Sequence, residues 1–294
     1  MHICYSNRYS KSNNEKKLMK NLQDWVGKQI SGKETIHQQS LNGFAALMDE
    51  PDPASDIVPP GGHWMYFLPT DRQSRIDDDG HGIKGDFLPP VTLPRRMWAG
   101  GRLAFHAPLH AGDLAEKTST IKNVTSKKGR TGELIFVTVG HQIRNEAGPC
   151  LTEEHDIVYR EAASASSSFK KEPQAAPKDG DWEVSITPDP VLLFRYSALT
   201  FNGHRIHYDR DYCLNEEGYP GLVVHGPLLG TFLMRLAVEK MGGRDLKKFS
   251  FRNFNPIFDT APFTLSGKKE SDDQCLVWVK GSTGERAVMA TAEF

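Results

Sequence analysis

The chain has 294 residues, 36 Lys plus Arg against 37 Asp plus Glu, a formal charge of -1 and 38% hydrophobic residues, a balance that suits one large or two medium globular domains with a sizeable core. Near-neutral charge gives no ground for nucleic acid or an anionic membrane surface as partner, so any anionic ligand must be held by local charges. The four cysteines, Cys4, Cys150, Cys213 and Cys275, are far apart and form no CxxC, which argues against a zinc ribbon or a disulfide framework and fits a reducing compartment.

Residues 1 to 20 read as an N-terminal extension. They lack the long apolar centre of a secretion signal, although their few acids leave a mitochondrial presequence as the alternative to the cytoplasm. Residues 21 to 160 form a first half. In it "IVPPGGHWMYFL" (57 to 68) precedes "GRLAFHAPLHAGD" (101 to 113) and then "GELIFVTVGHQIRNEAGPCLTEEHDIVYR" (132 to 160). Residues 161 to 180, "EAASASSSFKKEPQAAPKDG", are rich in Ala, Ser, Lys and Pro and read as a linker.

Residues 181 to 294 repeat the order with "LVVHGPLLGTFLMRL" (222 to 236), "KFSFRNFNPIFDTAP" (248 to 262) and "CLVWVKGSTGERAVMATAEF" (275 to 294). Each half is expected to give one apolar helix and then alternating strands joined by Gly-containing turns. Around 226 to 241, Leu229, Phe232, Leu233, Leu236, Val238 and Met241 leave almost no polar face, so that helix is expected to be buried nearly all round. The fold class predicted is α+β, a double hotdog: two antiparallel sheets, each wrapped around a buried helix, packed as a pseudo-dimer within one chain with the sheets continuous along an edge.

The densest chemistry lies in "ALTFNGHRIHYDRDY" (198 to 212), just before the second helix. Asn202 to His207, followed by "GLVVHGPL" (221 to 228), resembles the signatures of the MaoC-like (R)-specific enoyl-thioester hydratases. Together with "LPRRMWAGG" (93 to 101), these motifs are similar to the double-hotdog subfamily of hydroxyacyl-thioester dehydratase type 2, mesaconyl-C(4)-CoA hydratase and itaconyl-CoA hydratase. The resemblance implies reversible hydration of an α,β-unsaturated acyl-CoA thioester without metal or organic cofactor.

That chemistry needs a base to take a proton from water, an acid to protonate carbon 2 and donors for the thioester oxygen. By the resemblance His207 is the acid-base group, and the N–H of Gly226, at the positive end of a helix, meets the oxygen. Asn202 stands where single-hotdog relatives carry aspartate, and an amide can orient a water or the thioester but cannot shuttle a proton. Substrate contacts are expected from His204, Arg205, Arg195, Arg95, Arg96, Trp98, Val224 and His225, with His204 and Arg205 bonding the loop to itself as the alternative. His207 alone is favoured as both base and acid, with help from Asp209 as the alternative, and the spacing of His204, His207 and Asp209 is too weak a signal for a metal site.

The matching first-half segment, "LNGFAALMDEPDP" (41 to 53), has no histidine at the corresponding place. That half is therefore expected to be non-catalytic and to form a substrate groove. The arginines point to a short branched dicarboxylic enoyl-CoA as substrate. A 3-hydroxyacyl-ACP or 3-hydroxyacyl-CoA dehydratase of fatty acid metabolism and a catalytically silent acyl-thioester-binding hotdog are the alternatives. No nucleic acid or membrane partner is expected, and a homo-oligomer of the pseudo-dimer stays open.

Overall fold

The computed structural model describes residues 19–50, 55–129, 132–161 and 173–294. The reading of residues 1 to 20 as an extension falls almost wholly outside them, as do residues 162 to 172 of the linker. Ten strands make up one antiparallel sheet: β1 Gln29–Thr35, β2 Arg95–Phe105, β3 Leu114–Gly129, β4 Gly132–Asn145, β5 Gly148–Arg160, β6 Trp182–Ile186, β7 Lys248–Asn253, β8 Phe263–Ser271, β9 Gln274–Lys280 and β10 Arg286–Glu293. Their order, β1-β3-β4-β5-β2-β7-β10-β9-β8-β6, reads identically from either end once the halves are matched. The repeat in the sequence is thus a two-fold repeat in space.

The halves join where β2 pairs antiparallel with β7, Gly100 opposite Arg252 and Gly101 opposite Phe251. A Cβ at Gly100 would collide with the Phe251 carbonyl oxygen, and one at Gly101 would stand 2.9 Å from the Phe251 ring and 3.0 Å from the Glu154 oxygen. The two glycines of "WAGG" are therefore needed for the seam: only residues without side chains let the backbones approach this closely.

Alternation sets which face of each strand is covered. In β7, Phe249 and Phe251 are buried while Lys248, Ser250 and Arg252 are exposed. The large core gathers these with α1 (Gln38–Leu47), α2 (Pro190–Thr200) and α3 (Gly226–Lys240). A smaller core under β3, β4 and β5 is closed by Phe87, Leu88, Val91 and Leu93 of the preceding loop.

As expected, α3 is buried along most of its length. Leu228, Leu229, Leu233, Met234, Leu236 and Ala237 are inside, and Arg235 reaches out to an ion pair with Glu50. The first half differs from its expected pattern. Where an apolar helix was predicted over 57 to 68 there is a single 3-10 turn, Gly62–Met65. Phe67 then adopts a left-handed backbone (φ 54°), Pro69 follows without an N–H, and the sequence "TDRQSRIDDDGHGIKGD" is too polar to pack as a core helix. The chain runs instead as a long arm to β2. Neither expectation nor motif marked α1 and α2, although Asp189-Pro190 is a helix-start signal, with the Asp189 side chain accepting a bond from Leu192 N–H at 2.8 Å. Among the described residues no helix is long and apolar enough to cross a membrane.

Candidate active site

The loop that follows α2 is folded by its own backbone. Phe201 takes the left-handed conformation that ends the helix, with its N–H and that of Asn202 both returning to Ser197 O. Asn202 Oδ1 accepts the His204 N–H at 3.0 Å, which fixes its amide orientation and leaves the NH2 to face a ligand. A 3-10 turn over Arg205–His207 then carries His207 inward until only 7% of it is exposed.

His207 Nδ1 lies 2.7 Å from Val223 O. A carbonyl oxygen only accepts, so Nδ1 carries the hydrogen and Nε2 presents a lone pair. Burial pushes the His207 pKa down to about 4, against the opposing pull of the Val223 carbonyl. The imidazole is therefore neutral near pH 7 and competent to take a proton. His225 stacks on it, ring centroids 3.7 Å apart and planes 17° off parallel, and a 2.8 Å hydrogen bond joins His225 Nε2 and Ser197 Oγ. Burial drives the His225 pKa well below the ordinary histidine value. It serves as a neutral wall that holds the ring of His207.

His225 is also the residue before α3, whose first residue is Gly226. Among the described residues no acceptor takes the Gly226 N–H. It is one of the unpaired donors at the positive end of a fifteen-residue helix. A Cβ at Gly226 would stand 3.1 Å from Asn253 Nδ2, which donates to Trp98 O at 2.8 Å. Glycine here keeps the approach to that N–H open.

These groups line a cavity of about 700 Å³, within the usual range for a small-molecule site. Of the residues named from sequence, Asn202, His204, His207, Val224, Gly226, Arg95, Arg96 and Trp98 are on its wall. His225 lies behind them. Arg195 is on the exposed face of α2 and Arg205 also faces away, so neither stands on the wall where the sequence reading put it. The reason for Arg205 is local: Nε and Nη2 both bond Asp209 Oδ2, at 2.9 and 2.8 Å, and the guanidinium lies 4.2 Å from the Tyr212 ring centroid. The other oxygen of Asp209 caps the next helical turn through Tyr212 N–H, which keeps Asp209 out of the cavity.

Several wall residues went unread in the sequence. Arg160 and Arg286 reach the cavity from the end of β5 and the start of β10, each with a buried Nε that has no partner among the described residues. Their signal was weak, a lone arginine at a strand end. Asp79 and His81 come from the first-half arm, where "DDDGHG" reads as a solvated turn. His81 Nδ1 is 2.9 Å from Asp79 Oδ2, and its ring centroid is 4.2 Å from that of His204. Burial lowers the His81 pKa, Arg96 adding to the effect. Burial also pushes that of His204 down to about 2, with His81 and His207 contributing. Although burial works against the Asp79 carboxylate, the His81 hydrogen bond and charge hold it well below the usual carboxylate range.

The corresponding region of the first half is filled. Glu153, 3% exposed, accepts from His63 Nε2 at 3.2 Å and Trp64 Nε1 at 2.9 Å, and lies within ion-pairing distance of His155 Nε2. Trp64 and Trp98 meet edge to face above this cluster.

Comparison with known proteins gives the family and the fold. The family model for hydroxyacyl-thioester dehydratase type 2 matches residues 61–259, from the first-half turn to beyond the site. The mesaconyl-C(4)-CoA hydratase of Chloroflexus aurantiacus is 45% identical over 272 residues, 92% of this chain and 96% of that protein. The chain belongs to the hydroxyacyl-thioester dehydratase type 2 family. A second relative with that family's name, the mitochondrial protein of Schizosaccharomyces pombe, is 28% identical over 70% of this chain and 76% of its own length. Among solved structures a MaoC-like dehydratase superposes with a TM-score of 0.71 over 92% of this chain and 99% of that one, at 14% identity, a likeness of fold. The motif resemblance stated from sequence and the double-hotdog architecture both hold for this member of the family.

Proposed function

We propose that the protein adds water to the double bond of a short, branched, dicarboxylic enoyl-CoA, reversibly. The observation that carries this reading is the pairing of a buried, neutral His207, its Nε2 lone pair open, with the unpaired Gly226 N–H at the start of α3. In the forward direction His207 Nε2 takes a proton from water while the water oxygen bonds carbon 3. The π electrons move onto the thioester oxygen, which the Gly226 N–H and the helix dipole stabilise. His207 then returns the proton to carbon 2, and the enolate collapses to the thioester. Asn202 aligns the water or the thioester through its NH2 and takes no proton.

Support for a second carboxylate comes from the wall. Arg95 is held by Glu217, with its Nη2 3.1 Å from Oε2, but Arg96, Arg160 and Arg286 have no carboxylate within ion-pairing distance among the described residues. A half-buried guanidinium without an anion is costly, and a carboxylate or phosphate of the ligand would relieve it. In a substrate such as the one named for the Chloroflexus relative, the free carboxylate is attached to the carbon that water attacks. Its partner must lie beside the catalytic histidines. Arg96 shares the cavity wall with His204 and His207, and we assign that role to it. Arg160 and Arg286 remain for the phosphates of CoA. The cytosol is the compartment we propose, in keeping with the buried, unpaired thiols of Cys150, Cys213 and Cys275.

The test is a comparison of kcat/KM for mesaconyl-C(4)-CoA, itaconyl-CoA, crotonyl-CoA and a long-chain enoyl thioester. A dicarboxylic thioester should be preferred, and Arg96→Ala should narrow the preference by tenfold or more, on the order of one charge-assisted bond. If a monocarboxylic chain is the better substrate for wild type, the dehydratase of fatty acid metabolism takes its place. If none is turned over, the silent binder does.

A further inference from the structure

If one histidine both takes and returns the proton, the site passes through a state in which a fully buried imidazole is charged, and something must balance it. Single-hotdog relatives resembled by this loop would place an aspartate five residues before the histidine, and here that position is Asn202. Among the described residues that line the cavity, the carboxylates are Asp79 and Glu217. Glu217 is spent on Arg95. Asp79 has no Arg or Lys partner; it bonds His81, which packs on His204, which in turn meets His207 edge to face with ring centroids 5.5 Å apart.

We infer that the turn Asp77–Gly82 of the first half is a working part of the acid-base site, in which Asp79 is the counter-charge for the imidazolium that forms on His207, coupled to it through His81 and His204. The inference rests on the hydratase reading above and adds to it a positioning and charge-balancing unit supplied by the half without the catalytic histidine. No extra proton is consumed: water gives one to His207, His207 gives it to carbon 2, and Asp79 stays ionised throughout.

The backbone is built for this contact. The Asp79 carbonyl accepts the Arg205 N–H at 2.9 Å, inside the 3-10 turn that carries His207. Gly80, at φ 90°, lies so close to Gly203 that a Cβ on it would overlap the Gly203 carbonyl oxygen, and a Cβ on Gly203 would stand 2.8 Å from Gly80 O. Two glycines, one from each half, thus let the turn seat on the catalytic loop. An imidazole bonded to a carboxylate through one nitrogen is oriented and polarised, the relation that fixes histidines in many acid-base sites.

The experiment uses the full chain with Asp79→Asn and His81→Gln, assayed on whichever enoyl-CoA wild type hydrates fastest. Besides kcat and KM it records the pH profile of kcat/KM, the melting temperature and the ring 15N shifts of His81, His204 and His207 at neutral pH. The charged and titratable groups facing this trio are Asp79, Lys84, Arg96 and His225. Of these the variant Asp79→Asn removes the anion alone.

Both variants should lose about ten- to hundredfold in kcat with KM within about threefold, the split expected of a transition-state effect. In Asp79→Asn the acid limb of kcat/KM should move to lower pH, because removing an anion disfavours the protonated imidazole, and the ring shifts of His204 and His207 should change along with that of His81. An unchanged kcat overturns the inference. So does a loss with the limb unmoved and only the His81 shifts altered, which would make the turn a structural clamp, or activity that is lost to a chelator and restored by zinc. Wild type inert on every enoyl-CoA would defeat the hydratase reading instead, and the ring shifts would still decide the coupling.

Discussion

The two halves have one strand order and opposite interiors. In the second, a fifteen-residue helix begins at Gly226 beside a neutral buried histidine, and the space in front of it is open. In the first, the helix is cut to the turn Gly62–Met65, and the space is occupied by Glu153 with His63, Trp64 and His155. The arm that follows the turn crosses to the other half, where it supplies Asp79 and His81 to the shared cavity, and β2 adds Arg95, Arg96 and Trp98.

The contrast can be broken most severely at His207. His207→Gln should reduce kcat by a hundredfold or more, the scale of a general acid-base group, with the melting temperature changed far less. Measured hydration of the preferred enoyl-CoA checks this. Next is Gly226→Ala, which puts a methyl 3.1 Å from Asn253 Nδ2 at the start of α3. Its kcat should fall about tenfold or more, the lower range for loss of an oxyanion donor, while far-ultraviolet circular dichroism stays unchanged.

Sequence alone carried the second half well and the first half poorly, for a physical reason. Gly226, His207 and Asn202 stand in short contiguous motifs whose chemistry depends on local spacing. The helix at 226 to 240 showed itself because it is apolar on nearly every face. Asp79, His81, Arg160 and Arg286 reach the cavity through long-range pairing, across β2, β5, β10 and the first-half arm, and nothing in a polar turn or a strand end announces that. For Arg195 and Arg205 nearness in sequence to the motif did not bring a place on the cavity wall, and Arg205 is held by its i, i+4 partner Asp209, the loop-internal bond the sequence left as an alternative.

Smaller effects sharpen the account of the filled half. Glu153→Gln removes a fully buried carboxylate whose pKa is held well below the usual range, burial opposing and His155 and His63 prevailing. The variant should lose roughly 1 to 3 kcal/mol of stability by denaturant melting, since the hydrogen bonds from His63 and Trp64 are left with a weaker acceptor. A pH effect at His207 is of comparable size. Its folded pKa of about 4 lies below the unfolded value of 6.5, so below pH 6.5 the unfolded chain binds the extra proton. Wild-type stability should therefore decline as pH falls from 6.5 through 4, and His207→Gln should decline less over that window. No metal is invoked in the reaction, so dialysis against a strong chelator should leave turnover at its starting value.

The most direct measurement sets His207→Gln beside His63→Gln in one hydration assay with the preferred enoyl-CoA. The account predicts that turnover collapses in the first while the second keeps it within about tenfold and loses melting temperature instead, as a buried partner of Glu153 would. Equal losses of turnover in the two variants, or a larger one in His63→Gln, would contradict the division of labour between the halves.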